Sequence, residues 1–288
     1  MIYNETFTLS NGVKIPKLAL GTWLMDDETT KNAVKSAIDL GYRHIDTAQA
    51  YGNEKGVGEG LRLSSANRED IFITSKVAAE HKSYESAKKS IDETIKKMGI
   101  EYIDMMIIHS PQPWKDVNQS DNRYLAENKE VWKALEDAYK EGKVKAIGIS
   151  NFLKEDIENI LSTCTVKPMV NQILAHITNT PIELIKYCQD NDIVVEAYSP
   201  VAHGEALKND EIAKMAEKYN TSVAQLCIAY DLQLNMVVLP KTANVEHMKN
   251  NAQIDFVISD EDMQVLMNLD KIKDYGESSF FPVYGGKM

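Results

Sequence analysis

Apolar runs rich in β-branched residues alternate along this chain with stretches whose apolar positions recur every three or four residues. The runs predict strands at Leu18–Gly21, His44–Ala48, Ile71–Val77, Asp104–His109, Val144–Ser150, Met169–Ile173, Val194–Ser199 and Val237–Lys241. A continuous apolar block such as Met105–Ile108 has no polar face to turn to water, which fits strands covered on both sides, as in a parallel sheet. Between the strands lie helix faces that end at a glycine: Val34, Ala37 and Ile38 before Gly41; Ala87, Ile91, Ile95 and Met98 before Gly99; Val131, Leu135 and Ala138 before Gly142. Glycine adopts the left-handed conformation that stops a helix at the least steric cost. Asn191 and Asn220 are placed to do the same after later helices.

Eight strands alternating with helices, and no linker rich in Pro, Gly or Ser, predict one (β/α)8 TIM barrel spanning residues 1–288 as a single α/β domain. Two short strands around Asn11-Gly12 predict a β-hairpin ahead of the first barrel strand, placed to cover the bottom of the barrel. An open doubly wound sheet is the alternative, because strand count does not show closure. Gly56, Gly58 and Gly60 imitate a dinucleotide fingerprint, but no strand immediately precedes them and the last spaced glycine is missing. A small-residue packing face on a helix is expected there.

Composition narrows the classes. With 43% hydrophobic residues the chain can bury a large core, and a net charge of −11 argues against a nucleic-acid partner, which needs a basic surface. The three cysteines, Cys164, Cys188 and Cys227, are too scattered for a disulfide framework or a zinc cluster and are expected as buried free thiols. No signal-peptide pattern opens the sequence and no apolar stretch reaches membrane-spanning length, so a cytoplasmic protein without a membrane partner is expected.

In a (β/α)8 barrel, chemistry collects at the C-terminal ends of the strands. There this sequence places Asp46, Tyr51 just beyond it, Lys76 and His109, on three consecutive strand ends. Each has an ordinary structural reading alone: a helix cap, a packed aromatic, a solvated amine, a structural imidazole. Together they suit proton donation to a carbonyl oxygen. An ammonium beside a phenol favours the phenolate, an acid can hold that ammonium, and an imidazole can orient the oxygen. None of the four supplies electrons, so a hydride donor is implied, and nicotinamide is the simplest. Ser150, Asn151 and Gln172 could hold its carboxamide, Tyr198 could face its ring, and Lys241 and Thr242 could meet phosphate. A metal is not expected, because only His109 and Asp46 stand where ligands would be needed.

The chain resembles the aldo-keto reductase family over essentially its whole length. GYRHIDTAQAYGNEKGVG (41–58) resembles the family's first signature. ITSKV (73–77) and IIHSP (107–111) carry its Lys and His. VWKALEDAYKEGKVKAIGISNF (131–152) resembles its second signature, and VNQ (170–172), AYSP (197–200) and LPKT (239–242) continue the pattern in order. The resemblance implies a reductase of small aldehydes or ketones using NADPH, with NADH also possible. It implies a catalytic tetrad of Asp46, Tyr51, Lys76 and His109. It also implies a cofactor held by Thr22, Asp46, Ser150, Asn151, Gln172, Tyr198, Ser199, Lys241, Thr242, His247 and Asn251. Trp23 resembles the family's pocket-lining aromatic, and Tyr51, His109 and Trp114 are expected beside it at the substrate.

Two departures stand out. His247 occupies the place of an Arg that normally serves the adenosine 2′-phosphate, with Asn250-Asn251 in place of Glu-Asn, which weakens the preference for NADPH. Leu174-Ala175-His176 replaces a common Glu-Tyr-His. Phe280 and Phe281 belong to a tail expected to fold over the barrel mouth. A monomer is expected, since one barrel supplies every group. The contrasting possibility is a non-catalytic cofactor-binding protein on the same barrel, against which the intact tetrad argues.

Overall fold

The computed structural model describes residues 2–285. A two-stranded antiparallel hairpin, β1 (Thr6–Thr8) and β2 (Lys14–Pro16), precedes eight parallel strands. These are β3 (Leu20–Gly21), β4 (His44–Asp46), β5 (Phe72–Val77), β6 (Ile103–Ile108), β7 (Val144–Ser150), β8 (Val170–Leu174), β9 (Val194–Tyr198) and β10 (Met236–Leu239). They neighbour one another in chain order, and parallel bridges Leu18↔Val238 and Gly21↔Lys241 join the last strand to the first. The Ala19 N–H donates to the Val238 carbonyl at 3.0 Å across that seam. The sheet is therefore a (β/α)8 barrel, and the open doubly wound arrangement is excluded.

The hairpin lies at the N-terminal end of the barrel. Leu9 and Ile15 join the same core cluster as Phe72, Ile103 and Met236, which begin or adjoin the starts of strands. Asn11 Nδ2 donates to the Lys145 carbonyl at 2.9 Å, near the start of β7. Gly12, at φ +86°, supplies the positive φ that the tight turn requires. The barrel floor is thus plugged by apolar side chains, leaving the opposite mouth open.

The helix endings match expectation at Gly41, Gly99 and Gly142, all left-handed, and at Asn220, with φ 52°. Asn191 departs from it: its φ is −107°, and the left-handed residue is the next one, Asp192. The aspartate adopts that region with less strain than most residues, because its short polar side chain can bond locally. Cys188 and Cys227 are buried thiols as expected, whereas Cys164 is only half-buried, in the loop after the Lys154–Leu161 helix.

The glycines at 56–60 lie on the helix Glu54–Leu63 and form its packing face. A Cβ on Gly56 would meet the Asp27 carbonyl oxygen at 2.3 Å, one on Gly58 the Met98 carbonyl oxygen at 1.9 Å, and one on Gly60 the Lys31 carbonyl oxygen at 2.6 Å. The helix is clamped between two neighbours at distances only a hydrogen atom tolerates. Gly58→Ala should therefore destabilise the protein by about 2 kcal/mol or more, the scale of overpacking against rigid backbone. Chemical denaturation compared with wild type measures this, and an unchanged midpoint would mean the two backbones can separate freely.

Candidate active site

The strand ends converge on a cleft of about 520 Å³ at the C-terminal mouth. Its floor is built around one buried ammonium. Lys76, on β5, has no solvent exposure, and its Nζ donates to Asp46 Oδ1 at 2.6 Å, to the Thr47 carbonyl at 2.8 Å and to Tyr51 Oη at 3.2 Å. Three acceptors satisfy three N–H bonds, which is what keeps a charged amine inside the barrel. Burial works against that charge, but Asp46 and Tyr51 outweigh it, and the Lys76 pKa is raised.

Tyr51 comes from a short 3-10 turn, Gln49–Tyr51, after β4. Side chains on either side pin this loop. Gln49 accepts from the Ala78 N–H at 2.8 Å and donates to Thr94 Oγ1 at 3.1 Å. Asn53 donates to the Thr22 and Met25 carbonyls at 2.8 and 3.0 Å. The phenol is thereby held over Lys76, and its ring stands edge-on to His109 with centroids 5.6 Å apart.

Charge states in this cluster depart from one expectation. Lys76 does pull the Tyr51 pKa down, but burial outweighs it and Asp46 adds to the rise, so the phenol holds its proton more tightly than a free tyrosine. His109 moves the other way. Burial and then Lys76 hold it well below the usual imidazole range, so it is neutral near pH 7. Its Nδ1 is buried without a hydrogen-bond partner among the described residues.

Beside this cluster lies a polar ledge from β7, β8 and β9. Ser150 Oγ donates to the Gln172 carbonyl at 2.9 Å and accepts from Asn151 Nδ2 at 3.1 Å. Tyr198 Oη donates to Asn151 Oδ1 at 2.7 Å, holding Asn151 in a left-handed conformation with φ 60°. Gln172 Nε2 donates to Asp46 Oδ2 at 2.8 Å, which ties the ledge to the ammonium cluster. Thr22 Oγ1 donates to the Asp46 carbonyl at 2.9 Å. Further along the cleft stand Ser199, Lys241, Thr242, Asn251 and the exposed His247, on the short helix Val245–Asn251.

An aromatic wall closes the other side. Trp114 packs edge-on to His109 at 4.8 Å and against Phe281 at 4.9 Å, while Trp23 meets Phe281 at 5.4 Å and His203 at 5.3 Å. The tail therefore does fold over the mouth as far as Gly285; Gly286, Lys287 and Met288 lie outside the described residues. Tyr284 Oη lies 3.0 Å from Ser199 Oγ, and His176 Nε2 lies 3.1 Å from Tyr275 Oη. The second contact explains His176: it is a buried tether for the tail. Phe280 does not line the cleft and is exposed.

Every residue expected from sequence at the tetrad, the cofactor or the substrate lines the cleft except Lys76, which lies beneath it. Sequence reasoning missed several others. Ser222 and Val223, at the start of a helix between β9 and β10, lie beyond the reach of a rule about strand ends, and so does Tyr284 in the tail. Glu196 did carry a signal, an acidic residue in the middle of the apolar strand VVEAY.

The chemistry of the lining suits a nicotinamide dinucleotide. An amide-and-hydroxyl ledge can meet a carboxamide, the half-buried Tyr198 ring offers a flat face, and a lysine, threonine and histidine stand at the far end for phosphate. Among the described residues no cluster of three or more His, Cys, Asp or Glu could hold a metal, and no helix is long and apolar enough to cross a membrane.

Comparison with known proteins agrees. The glyoxal reductase of Bacillus subtilis is 40% identical over 275 residues, covering 94% of this chain and 95% of that protein. The crystal structure of an aldo/keto reductase from Brucella melitensis superposes with a TM-score of 0.84 at 36% identity, covering 92% and 99% of the two chains. A Bombyx mori aldo-keto reductase solved in complex with NADP gives 0.84 at 30% identity, covering 97% and 98%. The model of the Aldo/keto reductase family matches residues 17–271, and with that match laid over this barrel and this cleft, the chain belongs to the aldo-keto reductase family.

Proposed function

We propose that this protein reduces the carbonyl group of a small aldehyde, ketone or α-dicarbonyl to an alcohol with NADPH, acting as a monomer with Tyr51 as the general acid. The observation that carries this reading is the Lys76 ammonium, bonded at once to Asp46 and to the phenol of Tyr51 at the floor of an open cleft. When bound, the dinucleotide supplies hydride. Ser150, Asn151 and Gln172 are the groups to hold its carboxamide, Tyr198 to face its ring, and Thr22, Ser199, Lys241, Thr242, His247 and Asn251 to line the rest of its path. The B. subtilis relative named a glyoxal reductase supports a small, reactive carbonyl as substrate.

The protein's own part is to orient an oxygen and deliver a proton. His109, neutral and beside Tyr51, can donate one hydrogen bond to the substrate oxygen without protonating it. Trp23, Trp114 and Phe281 give the substrate body an apolar wall and keep water out. The raised Tyr51 pKa keeps the phenol protonated until negative charge develops on the oxygen, and Lys76 then stabilises the phenolate left behind. Asp46 keeps Lys76 charged and aimed.

Three measurements test this reading. Tyr51→Phe should lower kcat by about a hundredfold or more, the usual scale for loss of a general acid, with cofactor affinity little changed. Wild-type turnover in the folded variant would remove Tyr51 from its role. Lys76→Met should slow reduction sharply. It should also move the alkaline limb of any residual activity to higher pH, because the one group lowering the Tyr51 pKa strongly is gone. An unchanged profile with normal activity would make Lys76 purely structural. For the cofactor, a guanidinium grips phosphate with an always-charged planar fork that imidazole lacks. Fluorescence titration of His247→Arg should show NADPH bound about 1–3 kcal/mol more tightly and NADH nearly unaffected. No gain would mean His247 does not face the 2′-phosphate.

A further inference from the structure

Under the cleft floor lies a second carboxyl that the scheme above leaves unused. Glu196 sits in the middle of β9, fully buried, opposite Gln172 in the β8–β9 register. Gln172 Nε2 donates to Glu196 Oε2 at 2.9 Å and to Asp46 Oδ2 at 2.8 Å. Both hydrogens of that amide are thus given to carboxyl oxygens, and its carbonyl oxygen is the atom left for the cleft that Gln172 lines. The other oxygen, Glu196 Oε1, has no hydrogen-bond partner among the described residues. His44 Nε2 stands 3.8 Å from it, but that nitrogen is already 2.9 Å from Thr74 Oγ1.

Two carboxyls therefore share one cation. With Glu196 protonated, the Asp46–Lys76 pair leaves the floor neutral; with Glu196 ionised, the floor carries one uncompensated negative charge. The unpartnered Oε1 is the natural seat of the proton, since Oε2 can then still accept from Gln172. Burial and the charge of Asp46 push this carboxyl up to about 8, against smaller pulls from Gln172 and Lys76. Either state is within reach near neutral pH.

We propose that Glu196, acting through Gln172, makes the site discriminate between the oxidised and reduced forms of its cofactor. This rests on the cofactor assignment made above. The oxidised nicotinamide ring is cationic and the reduced ring neutral, while the rest of the dinucleotide is the same. An ionised Glu196 attracts the first and does nothing for the second; a protonated Glu196 favours neither. Glu196 is a positioning and charge-setting residue here, because it touches Gln172 and not the reacting atoms. Binding the oxidised form should draw the proton off Oε1 and release it to solvent. Binding the reduced form should leave it in place.

The surrounding groups do not blur this readout. His44, on β4, is held near 3 by burial. His109, after β6, lies well below the usual imidazole range. Lys76 on β5 and Tyr51 after β4 are both raised. None of these changes charge between about pH 6.5 and 9, given the ordinary values from which they are displaced. Asp46 Oδ1 is paired with Lys76 Nζ at 2.6 Å. On the other flank of β9, Glu196 is opposite Val237 of β10, which carries no charge. Contributions from the 2′-phosphate and His247 are common to both cofactor forms and cancel in a ratio.

The experiment titrates the full-length protein with NADP+ and with NADPH from pH 6.5 to 9. Quenching of protein fluorescence reports both, because Trp23 and Trp114 line the cleft. The ratio of Kd for NADP+ to Kd for NADPH should fall by about five- to tenfold over that range, as expected if the cationic ring lowers the Glu196 pKa by about one unit. A pH-indicator dye at pH 7.5 should register proton release with NADP+ and less or none with NADPH. Glu196→Gln, neutral and of the same shape, should flatten the ratio and abolish the release. Should that variant not fold, infrared difference spectra of the wild type decide, since a protonated-carboxyl band should disappear on adding NADP+. A flat ratio in the wild type, equal proton release with both forms, no change in that band, or a persistent slope in a folded Glu196→Gln would each overturn the proposal while leaving the cofactor assignment intact. Failure of both forms to bind would overturn the two together.

Discussion

A lysine inside a barrel is the constraint around which the rest of this active site is arranged. Taking an ammonium out of water costs several kcal/mol unless its hydrogen bonds and charge are met where it sits. Asp46, Thr47 and Tyr51 meet them, and all three belong to one strand and the loop leaving it. The pairing of β4 with β5 and the conformation of the Tyr51 loop are thus tied to a single charge. Removing one partner of such a pair typically costs about 3–5 kcal/mol, because the other charge is left buried and alone. This cost over-determines the geometry: Tyr51 is held at the cleft floor by the same contacts that make Lys76 tolerable.

Desolvation sets the chemistry as much as proximity does. Burial raises Tyr51 and lowers His109, so these two hydrogen-bonding groups lining the cleft are both uncharged near neutral pH. Two neutral groups over one fixed positive charge form a surface suited to an oxygen that becomes anionic only in the transition state. Pre-set dipoles of this kind need little rearrangement when that charge appears.

Much of this was legible in the sequence, for identifiable reasons. Strand positions followed from apolar runs bounded by glycine, and the strand-end rule pointed to Asp46, Lys76, His109 and Ser150 because a barrel places such positions around one mouth. The glycines at 56, 58 and 60 are legible as a packing face, since a phosphate loop needs a strand before it. Less visible were features that depend on three-dimensional closure. Ser222 and Tyr284 reach the cleft from outside the strand-end pattern, and His176 is explained only once Tyr275 folds back onto it. The sign of the Tyr51 shift was also hidden. Lys76 could be seen to oppose it, but how deeply the phenol is buried depends on three-dimensional packing that sequence does not place.

The glycine face carries one more consequence. The helix it clamps, Glu54–Leu63, begins three residues after Tyr51, and Asn53 at its start is bonded to Thr22 and Met25 on the neighbouring loop. The phenol therefore sits at the end of a short lever whose fulcrum is a set of contacts between bare backbones. Side chains elsewhere in the core can swap one hydrocarbon for another and repack. Here there is no hydrocarbon to trade, so Gly56, Gly58 and Gly60 have almost no neutral substitutions open to them. At these three positions any side chain is shut out by steric exclusion alone, whatever it would do to the chemistry.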